Sequence, residues 1–173
     1  MSETTLNQEH YQATEAYRAV ANVLKRKNYT LNLNWEALTF SPFTIKTDNL
    51  DIKLTFSINK TQKLILLTSV LPFSFPQQKA FECEYAINLI NYYLLNGHFY
   101  YDYDSSTIYY KVSNCYYFPQ GIRPNMFKYE NIVTDMLEET INTIDKYDDL
   151  LLNLALGAID LTQFIQKLKE CLA

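Results

Sequence analysis

Hydrophobic and polar positions change period several times along this 173-residue chain, and each change marks an element. From about Thr5 to Lys27, Ala13, Tyr17, Val20 and Leu24 recur at three- and four-residue intervals while Glu15 and Arg18 fall off the stripe, which predicts an amphipathic helix. Residues 29–47 are less periodic and hold the single Trp35. Within them Phe40-Ser-Pro-Phe43 predicts a turn into a strand around Phe43–Lys46. From Asp51 the period becomes two. Ile52, Leu54, Phe56 and Ile58 point one way and Asp51, Lys53, Thr55 and Ser57 the other, the pattern of a strand with one buried face. Asn59-Lys-Thr-Gln62 predicts a turn, after which Lys63–Val70 returns as a more uniformly apolar strand. Leu71-Pro-Phe-Ser-Phe-Pro76 is expected to end it, because proline cannot continue a ladder.

Helical spacing resumes over Gln77–Asn96, with Phe81, Tyr85, Leu89 and Tyr93 in one row and Ala86 and Ile90 in the row beside it. Asn96-Gly97 is the expected stop. Gly97–Val112 reads as a β-hairpin. Phe99, Tyr101 and Tyr103 share one face and Tyr100, Asp102 and Asp104 the other; on the return strand Ile108, Tyr110 and Val112 alternate with Tyr109 and Lys111. Pro119–Pro124 is expected to be a loop. Asn125 to about Lys146 gives the strongest helical stripe, through Ile132, Val133, Met136, Leu137, Thr140, Ile141 and Ile144. Tyr147-Asp-Asp149 is expected to interrupt it before an apolar patch, Leu150–Leu156, that stops at Gly157. Asp160 and Gln163 form a capping pair opening a last short helix with Leu161, Phe164, Ile165, Leu168 and Leu172 on its apolar side.

Strands joined by tight turns pair antiparallel. The expected fold is therefore an α+β domain, an antiparallel sheet with helices packed on one face in the order helix–strands–helix–hairpin–helix. No linker or repeat divides the chain, so residues 1–173 are expected to form a single domain, with residues 158–173 an additional C-terminal helix.

Composition narrows the function. Three glycines and five prolines suit helices and a few strands better than a many-turned sandwich. The formal charge of −4 and the lone basic run Lys25-Arg26-Lys27, placed where it complements a helix C-terminus, argue against a nucleic-acid partner. The opening residues MSETTLNQEH carry no basic segment followed by an apolar core, and no apolar run nears the roughly 20 residues a membrane span needs. Three cysteines, Cys83, Cys115 and Cys171, are odd in number and widely spaced. A reducing, cytoplasmic location is expected from them, in which the Asn28 and Asn59 sequons carry no sugar. Fifteen tyrosines are the compositional outlier. A coding bias accounts for most of them, and an adhesive surface is the functional alternative.

Chemistry is sparse. His10 and His98 have no ligand spacing to each other or to any cysteine, and nothing around Cys83 marks a nucleophile. Asp102-Tyr-Asp104-Ser-Ser106 is the one tempting cluster, since two carboxylates at i and i+2 could serve a hard cation or a general acid/base pair. As a calcium loop it fails, with Thr107 where glycine is needed and Ser113 where a bidentate glutamate should close the site. Aspartate and serine are good turn formers, and a turn is the expectation. No catalytic residue, metal site or cofactor is expected.

From Gly97 onward an aromatic strand with an acidic end, Phe99-Tyr-Tyr-Asp102, leads to the return strand Ile108–Tyr110. A long helix ending in Asp145-Lys-Tyr-Asp148 and an apolar run to Gly157 follow. This pattern resembles the YbjN group, whose domains are similar to type III secretion chaperones. The resemblance covers the last third of the chain in its residues and nearly the whole in its element order. It implies a small, non-enzymatic and often dimeric α+β domain, and secretion chaperones hold an extended segment of a client. No catalytic residues come with it, and the final helix and the Trp35 region match nothing in the pattern.

The leading expectation is thus a protein-binding or regulatory module acting as a homodimer. Its binding face is placed at Tyr100, Asp102, Tyr109 and Lys111 on the hairpin. A small-ligand binder with a pocket lined by Tyr85, Tyr93, Tyr101 and Tyr110 is the alternative, and a hydrolase centred on Asp102 and Asp104 stands behind it.

Overall fold

A computed structural model of the chain describes residues 3–30, 32–119 and 125–172. Among these residues the order is α1 (Glu3–Arg26), β1 (Leu33–Asn34), β2 (Thr39–Phe40), β3 (Phe43–Lys46), β4 (Asp51–Asn59) and β5 (Leu64–Ser74). A 3-10 turn (Gln77–Lys79) follows, then α2 (Ala80–Tyr93), β6 (His98–Asp102), β7 (Thr107–Cys115), α3 (Met126–Leu156) and α4 (Leu161–Leu172). The strands form one seven-stranded antiparallel sheet ordered β1-β2-β4-β5-β7-β6, with β3 also paired to β4. The α+β class expected from the pattern is what the chain forms. Beyond Pro119, the loop expected at Pro119–Pro124 lies outside the described residues.

Alternation along the strands decides which face the helices cover. Ile52, Leu54, Phe56 and Ile58 on β4, Ile65 and Leu67 on β5, Phe99 and Tyr101 on β6, and Ile108, Tyr110 and Val112 on β7 are all buried. Their neighbours in sequence are exposed or half-buried. A period of two puts the buried positions of each strand on one side of it.

The chain divides into two compact units, to both of which β3, β4, β5, β7 and α3 contribute. In the first unit (residues 1–43, 54–67 and 113–138), Ala13, Ala16, Tyr17, Val20 and Leu24 of α1 are buried. Tyr17 stacks on Phe40, which meets Phe56 edge-on, and Phe43 lies parallel to Phe56. Off the stripe, Glu15 and Arg18 bridge each other at 2.7 Å, and Arg26 in the last turn of α1 bridges Glu130 at 2.8 Å. The strands β1 and β2, each two residues long, were not legible from periodicity.

In the second unit (residues 44–53, 68–112 and 139–173), Phe99 of β6 packs between Tyr110 of β7 and Tyr147 of α3. Helix α2 lies against β6 and α4 against α2. The carboxamide of Asn91 pairs twice with the backbone of Phe99, donating from Nδ2 to its carbonyl at 2.9 Å and accepting its N–H at 2.8 Å.

Three expectations fail here. Of the two rows read on α2, Ala86 and Ile90 are buried, with Cys83 and Ile87 beside them, whereas Phe81, Tyr85 and Tyr93 of the other row are exposed. Tyr147-Asp-Asp149 does not break a helix, because α3 runs unbroken from Met126 to Leu156 with Ile144, Tyr147, Leu151 and Leu154 continuing its buried stripe. Nor does Pro72 end β5. That strand reaches Ser74 with Pro72 exposed, where a missing N–H is tolerated.

Candidate functional site

The hairpin β6–β7 positions the residues singled out on the sequence. Its register sets Tyr100 opposite Tyr109, His98 opposite Lys111 and Asp102 opposite Thr107. All six lie on the sheet face opposite the buried core positions. Tyr100 and Tyr109 are half-buried and stack across the strands with centroids 5.1 Å apart and planes within 9° of parallel. Cross-strand aromatic pairs of this kind stiffen a ribbon by a few tenths to about 1 kcal/mol. The His98 ring lies 6.0 Å from that of Tyr100, extending the row along β6. Burial, and then the neighbouring Tyr109 and Asp102, push the Tyr100 hydroxyl above the ordinary tyrosine range, so near neutrality it remains a donor.

Asp102 has a different task. Its Oδ2 accepts from the Ser105 hydroxyl at 2.6 Å and its Oδ1 from the Asp104 N–H at 3.1 Å. These bonds hold its carboxyl below the usual carboxylate range. They fold the Asp102–Thr107 connection into the turn that the sequence predicts, with Ser106 at φ 53°. Tyr103, expected on the core face, sits instead in this turn and is exposed.

The tyrosines of the alternative pocket do not share one environment. Tyr85 and Tyr93 are exposed on α2, while Tyr101 and Tyr110 are buried, their hydroxyls donating to the carbonyls of Phe75 and Asn96 at 3.2 Å each. Among the described residues no group of three or more His, Cys, Asp or Glu side chains is placed to hold a metal ion. Cys83 is buried, and that burial, aided by the nearby Glu84 carboxylate, pushes its thiol up to about 12. Among the described residues no helix is long and apolar enough to cross a membrane.

Sequence reasoning missed the exposed aromatic side of α2, where Phe81, Tyr85, Tyr92 and Leu95 face solvent. Their spacing of four, seven and three residues was the available signal. Phe81 and Tyr85 fall in one of the two rows read on the sequence, and Tyr92 and Leu95 lie outside both.

No protein-family model matches the chain, and no curated protein does. Among solved structures, a chain from the HopA1–SchA chaperone–effector complex matches with a TM-score of 0.37 and 16% sequence identity, over 78% of this chain and 94% of that one.

Proposed function

We propose that the chain is a non-enzymatic, protein-binding module of the secretion-chaperone and YbjN kind. It acts in the cytoplasm as a homodimer and holds an extended segment of another protein on the sheet face that carries Tyr100 and Tyr109. The observation that carries this reading is the Tyr100–Tyr109 stack, a preordered aromatic platform of half-buried rings on the face opposite the core positions. Two rings fixed by each other lose little side-chain entropy when a partner arrives, and tyrosine offers both apolar area and a hydroxyl. Lys111, half-buried on the same face, and Asp102 at the turn supply charge of either sign at the rim of the platform. A strand-like segment laid over the rings would bury them and leave its own polar groups within reach of that rim.

Binding of a fluorescein-labelled panel of twelve-residue peptides with alternating apolar and polar positions tests the reading. Replacing both Tyr100 and Tyr109 by alanine is expected to weaken the best binder by about tenfold or more, the scale of lost aromatic anchors. Retained affinity in that variant, or no binding anywhere in the panel, removes the platform.

A further inference from the structure

The face of the β6–β7 hairpin that carries the tyrosine stack is charged unevenly from one end to the other. His98, Tyr100 and Asp102 alternate onto it from β6, and the register sets Lys111 opposite His98, Tyr109 opposite Tyr100 and Thr107 opposite Asp102. At the first level Lys111 is half-buried, and among the described residues its ammonium makes no hydrogen bond or ion pair. The exposed His98 adds a ring N–H beside it. At the second level stand the two parallel rings. At the third, the Ser105 hydroxyl and the Asp104 N–H both donate to the Asp102 carboxyl, bonds that favour its charged form. Cation, ring pair and carboxylate thus follow one another at every second residue, roughly 7 Å from one to the next.

We infer that the segment held on this face carries an acidic, a large apolar and a basic residue at alternate positions, its carboxylate lying on Lys111 and His98. This names the chemistry of the partner proposed above and rests on that reading. Spacing and charge carry it. An extended segment turns every second side chain to the same side with the same rise, so three successive inward side chains fall over the three levels of the hairpin. Charge then decides what each must be. The Lys111 ammonium has already lost part of its water and gained no counter-charge in exchange. A partner that covers it removes more water, which is costly unless the partner brings an anion. A carboxylate there accepts charge-assisted bonds from the ammonium and the imidazole N–H, whereas a basic residue would bury two like charges together. The parallel rings at the second level offer apolar area to the middle residue. Over Asp102 the sign reverses, more weakly, because its oxygens already accept two bonds. A uniformly anionic partner fits the first level alone, since its next charges would face Asp102.

Fluorescence anisotropy of the full chain with labelled twelve-residue peptides supplies the test. One peptide carries glutamate, phenylalanine and lysine at alternate central positions; the others replace both charged residues by lysine, by glutamate or by glutamine. The mixed-charge peptide is expected to bind about tenfold tighter than the doubly basic one, with the doubly acidic peptide between them. Lys111→Gln is expected to shrink the difference to about twofold, and Lys111→Glu to reverse it, with the circular dichroism of both variants unchanged. Failure of every peptide to bind the parent removes the platform and this pattern together. Equal affinities across the four remove the pattern and leave the platform. A preference that survives Lys111→Gln undiminished gives the selection to other charges and overturns the role of Lys111. Self-association of the unliganded chain that Tyr100→Ala with Tyr109→Ala abolishes would assign this face to a second copy and overturn the inference.

Discussion

Gln12 and Phe118, 106 residues apart in sequence, are joined as two strands would be: the Gln12 carboxamide donates to the Phe118 carbonyl at 3.1 Å and accepts its N–H at 2.9 Å. Gln12 is buried in α1, so both backbone groups of Phe118 are satisfied without water. Gln12→Ala strands both groups and is expected to cost about 2–3 kcal/mol in urea unfolding. A loss under about 0.5 kcal/mol would show that water replaces the carboxamide freely.

Gly97 offers a second measurement. It sits at φ +66°, and a Cβ there would run into the Tyr110 ring. Gly97→Ala is expected to destabilise by about 2 kcal/mol or more, combining left-handed backbone strain with the collision. Adding Tyr110→Phe removes the hydroxyl nearest the new methyl and should recover part of the loss in a double-mutant cycle. Strict additivity of the two substitutions would contradict that contact.

Asp148 makes stability depend on pH. Fully buried on α3, it accepts from Asn49 at 3.0 Å and from the Asp149 N–H, while its Oδ2 has no partner. Burial outweighs those bonds and raises its carboxyl above the ordinary range. A raised folded-state value means the native state holds the proton more tightly than the unfolded chain. This contribution is fully present below the unfolded value, about 3.9, and is lost as pH rises through the folded one. Asp148→Asn, uncharged throughout, is therefore expected to melt higher than the parent at pH 7, with the gap closing toward pH 4. A gap of constant size across that range would rule out the buried charge as its origin.

The thiols should separate cleanly. Cys83, buried and held up at about 12, is expected to resist a thiol reagent at pH 8 in the native protein, whereas Cys115 and Cys171 are exposed. Titration should count two fast sulfurs natively and three in denaturant. Three fast sulfurs in the native protein would place Cys83 at the surface.

How much of this was written in the chain varies with the kind of signal. Period-two alternation at Ile52–Ile58 and across the hairpin was read correctly, because a strand with one covered face leaves no other pattern. The Asp160–Gln163 capping pair is present with both bonds, at 2.8 and 2.9 Å, since its partners are three residues apart and need no tertiary information. Tyr147-Asp-Asp149 misled because the cost of burying Asp148 is offset in part by Asn49, 99 residues away, and no local window holds both. The face of α2 misled for a related reason: periodicity finds a stripe but does not say which of two stripes meets the sheet. Of the hairpin residues, the pairing of Tyr100 with Tyr109 followed from register, and Asp102 turned out to be spoken for by Ser105 and Asp104.

The pairing of Asn91 with Phe99 has a consequence for how this sheet meets the rest of the cell. Strand β6 ends the sheet, and an open last strand invites another chain to dock on its peptide groups, the first step of uncontrolled polymer growth. At Phe99 that invitation has been withdrawn, since a side chain of the same molecule already occupies both groups. A visiting polypeptide finds no backbone template at this point of the border. Here the chain spends a carboxamide to withhold from strangers a contact that any sequence could make.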